Sequence, residues 1–131
     1  ILPLYFWLYA PMDTHNSLLK QKQMAAELNG IHTEVMCTEF EDRLFILVTQ
    51  YQKFGTLVQV TKDVALQEGG DVTFTTNVLL GKDEPITHVF SRSLASKIPV
   101  RKPILIAVAL KDRSQNMFKA AEQLVLDNRI W

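Results

Sequence analysis

Two short segments of the chain are apolar at nearly every position, and they constrain the fold more than any other feature. One is RLFILVTQ at residues 43–50, and the other is ILIAVAL at residues 104–110. Successive side chains of a β-strand point to opposite faces of the sheet, so a strand that is apolar on both faces must be covered on both. We therefore expect these segments to lie in a sheet that has something packed against each face.

The rest of the chain predicts five strands, a helix, a strand and a helix, in that order. The expected strands are residues 20–28, 31–40, 43–50, 56–60, 72–80 and 104–110. Asn29-Gly30 favours a two-residue hairpin turn between the first two strands. The polar residues 61–71, which include Gly69-Gly70, predict a loop between the fourth strand and the fifth.

Both expected helices have a start signal in the sequence. Asp83, Glu84 and Pro85 place two carboxylates and a proline where the first helix begins, and Asp112 with Gln115 suggests a capping box for the second. The apolar positions with helical spacing are Ile86, Val89, Phe90, Leu94 and Ile98 in the first helix, and Met117, Phe118, Ala121, Leu124 and Val125 in the second. Each helix therefore has one face to bury.

With 131 residues, of which 47% are hydrophobic, the chain is long enough for one core and too short for two comfortable domains. We predict a single α+β domain with a mainly antiparallel six-stranded sheet and both helices on one face. The other face would be an exposed apolar surface unless a second chain covers it, so we expect it to be used for dimerisation. The residues expected to divide between helix packing and dimer contact are Leu44, Ile46, Val48, Leu105 and Ala107.

The first ten residues, ILPLYFWLYA, form an unbroken apolar run. This run is shorter than the roughly 20 residues that span a bilayer, and it has neither the basic start nor the small-residue cleavage site of a secretory signal. We expect residues 1–19 to be a disordered or non-native extension, with Met12 as a natural start and residues 20–131 as the domain. The alternative is an apolar arm that packs on a hydrophobic surface.

Composition argues against several classes of partner and site. Lysine plus arginine and aspartate plus glutamate both number 14, so no net field attracts nucleic acid or an acidic membrane. The single cysteine, Cys37, excludes an internal disulfide framework and fits the reducing cytoplasm. The three histidines have no metal-ligand spacing, so we expect no metal and no cofactor.

One catalytic alternative exists. Cys37 with His88 and Asp83 would supply a nucleophile, a base and an orienting carboxylate, whereas the simpler interpretation of Cys37 is a buried core thiol. An exposed Cys37 that reacts quickly would favour the enzyme. A small adaptor domain of the trafficking type is a further alternative, since such domains also pair sheets and helices.

Several stretches of the sequence resemble one known family. They are FTTNVLLGKDEPITHVFSRSL at residues 74–94, TEVMCTEF at 33–40, ILVTQYQKFGTLVQV at 46–60, the KDRS turn and the terminal IW. The chain resembles the proteasome assembly chaperone 3 family from about residue 20 to its end. The resemblance implies a non-catalytic cytoplasmic chaperone that pairs with proteasome assembly chaperone 4 and promotes formation of the ring of proteasome α-subunits. A homodimer is the alternative when the sister chain is absent.

Two polar segments are the expected α-subunit contacts. The first is the loop 61–71, because polar loops on a rigid sheet often carry contacts, although it could also be a plain solvated connection. The second is the pair before the first helix, where capping is the competing explanation. The expected contact residues are Lys62, Asp63, Glu68, Asp71, Asp83 and Glu84.

Overall fold

The computed structural model describes residues 20–51, 55–64 and 72–131 of the chain. These residues form six strands and two helices in the predicted order. The strands are β1 (Lys20–Leu28), β2 (Ile31–Glu39), β3 (Leu44–Thr49), β4 (Thr56–Val64), β5 (Val72–Leu80) and β6 (Ile104–Ala109), and the helices are α1 (Pro85–Ser96) and α2 (Gln115–Asp127). The expectations for residues 1–19 fall outside the described residues.

All six strands belong to one sheet, in the order β1-β2-β3-β6-β4-β5. Every neighbouring pair is antiparallel except β3 and β6, which run parallel. The two segments that are apolar on both faces are therefore side by side in the middle of the sheet. The prediction of a single α+β domain with a mainly antiparallel six-stranded sheet is confirmed.

The first hairpin forms as its turn residues predict. Leu28 is paired with Ile31 across the turn, and both turn residues have positive φ, 51° at Asn29 and 79° at Gly30. Positive φ at both positions defines the type I′ turn, whose twist matches that of the two strands.

Both helices pack on the same face of the sheet. Helix α1 lies over β4 and β5, and α2 lies over β1, β2 and β3. The helices also touch each other, since the Phe90 and Phe118 rings meet edge to face with centroids 5.4 Å apart. Trp131 is partly buried and packs against this core.

The helix starts differ in detail from the prediction. Pro85 is the first residue of α1, but Glu84 precedes it without a capping hydrogen bond, because its carboxylate pairs with Arg113 instead. Helix α2 is capped by Ser114, whose hydroxyl accepts from the Met117 amide at 3.2 Å. The predicted cap, Asp112, accepts from the Ser114 amide one step earlier. Serine and aspartate are both preferred as helix caps, because either side chain can accept from the first helix amides. The sequence pattern therefore did not distinguish Ser114 from Asp112, and the predicted cap was wrong.

The loop predicted to begin at residue 61 begins later, because strand β4 is longer than predicted. Strand β4 continues through residue 64, and its partners in β5 run from Leu80 down to Val72. Polar residues alternate on this hairpin without ending it, because strands with solvent on one face accept them.

Candidate protein-binding surface

The sheet face opposite α1 and α2 has an apolar centre, which we call the open face. Met36, Leu47, Ala107 and Leu57 follow one another across β2, β3, β6 and β4, each in register with the next. Leu47 and Ala107 are fully buried in the centre, whereas Met36 and Leu57 are half-buried. Neither described helix lies on this side of the sheet.

A second apolar pair extends the open face. Phe45 and Leu105 are in register on β3 and β6, and both are half-buried. Towards the other end of the strands the face becomes polar, with Glu34 beside Thr49. One carboxylate oxygen of Glu34 lies 3.1 Å from His32 Nε2, and the other is buried with no hydrogen-bond partner among the described residues. The open face therefore has an apolar centre and becomes polar towards one end, where Glu34 and Thr49 are themselves buried.

The structure separates the five predicted interface residues into two sets. Leu105 and Ala107 lie on the open face, as defined above. Leu44, Ile46 and Val48 are each 0% exposed and belong to the core beneath the helices. Their assignment to a dimer interface is corrected, because the helices already occupy the face to which they point.

The residues that complete the open face were not among the predicted interface residues. They are Met36, Phe45, Leu47 and Leu57. The sequence pattern that could have identified Phe45 and Leu47 is the alternation of side chains along β3. It places these two residues on the face opposite to that of Leu44, Ile46 and Val48. The missing information was which alternating set the helices cover.

The two predicted contact residues of β4 point to opposite faces of the hairpin. Lys62 lies on the helix side, where its ammonium donates to the Ile98 carbonyl, and burial lowers its pKa. Asp63 lies on the other side and accepts from the Thr75 hydroxyl at 2.9 Å. Both belong to a strand and not to the expected loop, so their predicted placement was wrong. Glu68 and Asp71 lie outside the described residues.

The other predicted contact pair lies beyond the far end of β5. Asp83 is 71% exposed and sits 2.6 Å from His88 Nε2. Glu84 is less exposed, since it pairs with Arg113 and approaches Lys82 at 3.9 Å. Of the predicted contact residues that the structure describes, Lys62 and Asp63 therefore do not form one patch with Asp83 and Glu84.

The thiol-hydrolase alternative finds no support in the geometry. Cys37 is 0% exposed beneath the helices, and burial raises the pKa of its thiol to about 12, so the thiolate is not formed near neutral pH. His88 is engaged elsewhere, with Nδ1 2.6 Å from the Thr76 hydroxyl and Nε2 against Asp83. The buried core thiol is the interpretation that the structure supports.

Two further findings concern the described part of the chain. No helix in residues 20–51, 55–64 and 72–131 is long and apolar enough to cross a membrane. Over the same ranges, no three histidine, cysteine or acidic side chains are grouped so that they could hold a metal ion.

Comparisons with known proteins agree on one family. The profile of the family described as proteasome assembly chaperone 3 matches residues 46–128. The chain is 37% identical to the bovine proteasome assembly chaperone 3 over 117 residues, which cover 87% of this chain and 96% of the bovine protein. It is 43% identical to the protein of that name from Nematostella vectensis over 108 residues, covering 75% and 80% of the two chains. The human counterpart is 34% identical, with coverage of 87% and 96%.

A solved structure shares the fold. One chain of a chaperone complex for yeast 20S proteasome assembly superposes with a TM-score of 0.60, covering 83% of this chain and 96% of the yeast chain. The sequence identity is 12%, so this likeness concerns the architecture alone.

Proposed function

Because the chain belongs to the proteasome assembly chaperone 3 family, we propose that it promotes assembly of the proteasome core particle as one half of a heterodimer with proteasome assembly chaperone 4. The pair would bind α-subunits and promote formation of their ring in the cytoplasm. Shared family membership with relatives at 33–43% identity supports the general role. The open face is the observation that carries the proposed pairing.

The proposed heterodimer buries the open face. Its centre consists of apolar side chains on four neighbouring strands, and both described helices pack on the opposite side. A partner sheet laid on this face would remove the half-buried Leu57 and Leu105 from water, at about 25 cal/mol for each Å² of apolar surface. An interface of standard size would bury about 1,600 Å² in total.

The proposed mechanism is binding without covalent chemistry. A heterodimer that holds selected α-subunits in one orientation raises their effective concentration and blocks wrong neighbours. The burial of Cys37 argues only against the thiol-hydrolase alternative, because its thiol is not accessible as a nucleophile. The exposed Asp83 remains a proposed α-subunit contact, together with Lys62, Asp63 and Glu84.

Native mass spectrometry of the full chain, co-expressed with proteasome assembly chaperone 4 and with each α-subunit in turn, tests the proposal. We expect a heterodimer that retains one or two particular α-subunits. A chain that stays monomeric and ignores every α-subunit would overturn the proposed function.

Two matched variants locate the pairing surface in the same experiment. Leu105→Glu places a charge on the open face and should abolish the heterodimer peak. Val89→Glu places the same charge on a side chain of α1 that is 58% exposed, and it should leave the heterodimer intact. If only the Val89 variant loses the heterodimer, the interface lies on the helix side of the sheet and the proposed pairing through the open face is wrong.

A further inference from the structure

The two edges of the sheet differ in a way that the proposed heterodimer does not explain. Strand β1 forms one edge and carries Lys20, Lys22 and Glu27. Strand β5 forms the other edge, and its nine residues, VTFTTNVLL, include neither a charge nor a proline. Edge strands usually carry such residues because unpaired backbone groups otherwise accept a further strand.

Strand β5 is also exposed and suited to pairing. On one side it pairs with β4, and no strand of the described residues pairs with its other side. Apolar side chains are exposed at both ends of the strand, Val72 at 49%, Leu79 at 52% and Leu80 at 62%. Its five β-branched residues favour extended backbone.

A groove of about 850 Å³ opens beside the first residues of β5. Val72 and Phe74 form one wall, and the segment that follows α1, residues 97–101, forms the other. The hydrophobic side chains of Pro99 and Val100 also line it, next to the fully buried Ile98, so much of its surface is apolar.

The charge of this groove is positive. Among the described residues, Lys62, Lys97 and Arg101 line it, and no carboxylate does. Lys97 is compensated by Glu122 of α2, at 2.5 Å. Lys62 donates only to the neutral Ile98 carbonyl, and Arg101 has no ion-pair partner within the described part of the chain. Two cationic groups thus remain without a balancing charge beside an apolar surface.

We propose that β5 and this groove together bind an extended segment of a partner protein, which adds to the sheet as a seventh strand and places an Asp or Glu side chain between Lys62 and Arg101. Backbone hydrogen bonds to the strand edge would supply affinity, and the groove would select the acidic residue, as in other strand-addition complexes. Nine residues of strand reach about 30 Å, so the segment spans β5 and the groove at its start. The groove lies on the helix side of the sheet, opposite the open face, although Leu80 at the far end of β5 lies beside Leu57 of the open face. The proposal does not rest on the proposed heterodimer.

A displayed library of random nonapeptides, selected on the full chain, tests the proposal. We expect the selected peptides to combine β-branched residues with at least one Asp or Glu, and to perturb the NMR amide signals of β5 and of residues 97–101 in the labelled full chain. Failure to select any peptide, selection without acidic enrichment, or perturbed signals confined to other strands would each overturn the proposal.

Charge variants supply the matched comparison. Arg101→Glu reverses one groove charge on an exposed side chain and should weaken the selected peptides about tenfold or more, since opposite charge becomes repulsion. Lys119→Glu makes the same change on the exposed side of α2 and should leave their affinity unchanged. If both variants weaken peptide binding equally, the effect comes from the net charge of the protein and not from the groove. If Arg101→Glu does not weaken binding, the groove is not part of the binding site.

Discussion

At the scale of single residues, one buried glutamine connects three parts of the fold. Gln50 follows β3, and its amide nitrogen donates to the Thr33 hydroxyl at 3.0 Å and to the Met117 sulfur at 3.2 Å. Its side-chain oxygen accepts from the Lys111 amide at 2.8 Å. The side chain thereby joins β2, the start of α2 and the turn after β6, and its removal would leave buried polar groups without partners.

We expect Gln50→Ala to lower the free energy of unfolding by about 2–3 kcal/mol, the cost of unsatisfied buried groups and a small cavity. The matched control is Gln123→Ala, since Gln123 is exposed on α2 and bonds only to Asp127 at 2.9 Å. That change should cost about 0.5 kcal/mol or less. Urea unfolding of both variants measures the difference, and equal losses would contradict the structural role of Gln50.

The raised pKa of Cys37 predicts that the stability of the fold depends on pH above pH 9. Burial raises its pKa from 9.0 to about 12, so between these values the unfolded chain releases the thiol proton and the folded chain keeps it. The folded state then binds more protons, and stability falls as pH rises, by about 1.4 kcal/mol per pH unit from this group.

Comparison with Cys37→Ala isolates this effect from other groups that titrate in the same range. The stability difference between the original chain and the variant should shift in favour of the variant between pH 9.5 and 11. Parallel pH profiles, measured by denaturant unfolding, would show that the thiol ionises as readily in the folded chain as in the unfolded one.

At the scale of the elements, two glycines with similar backbone angles have different surroundings. Gly30 in the first hairpin has φ of 79°, and a Cβ there would meet nothing within 4 Å. Gly55, just before β4, has φ of 64°, but a Cβ there would clash with the Val108 carbonyl oxygen and lie 2.7 Å from Ala109 Cβ. The close approach of β4 to the end of β6 therefore requires glycine for space as well as for conformation.

We expect Gly30→Ala to cost about 1–2 kcal/mol, the price of a left-handed conformation for alanine. Gly55→Ala should cost about 3 kcal/mol or more, since the clash adds to the same conformational penalty. Thermal or urea unfolding of the two variants checks the order. If the Gly55 variant is as stable as the Gly30 variant, the start of β4 can move away from the end of β6 without a loss of stability, and the predicted clash does not matter.

At the scale of the whole molecule, the two faces of β6 predict opposite outcomes for adjacent substitutions. Leu105→Glu changes the open face and should leave the monomer folded, because its side chain already reaches solvent. Ile106→Glu buries a charge in the core beneath the helices, where Ile106 is 0% exposed, and should unfold the chain. Circular dichroism of the separate variants distinguishes them, and unfolding of the Leu105 variant would assign the open face to the core.

Much of the secondary structure follows from the sequence because its causes are local. The Asn29-Gly30 turn, the helical spacing of α1 and α2 and the alternation of the strands depend on neighbours within a few residues. The choice between Asp112 and Ser114 as the cap of α2 shows where local signals end, since both residue types suit the position. The family resemblance likewise rests on sequence, and the comparisons confirm it.

Only the tertiary structure decided the order of the strands and the use of each face. The alternation of side chains along β3 places Leu44, Ile46 and Val48 on one face and Phe45 and Leu47 on the other. Both sets are apolar, so the sequence does not show which of them faces the core. Insertion of β6 between β3 and β4, and the packing of both helices on one side, made the first set core and left the second set on the open face. Contacts between residues far apart in the chain set these outcomes, so no local pattern records them.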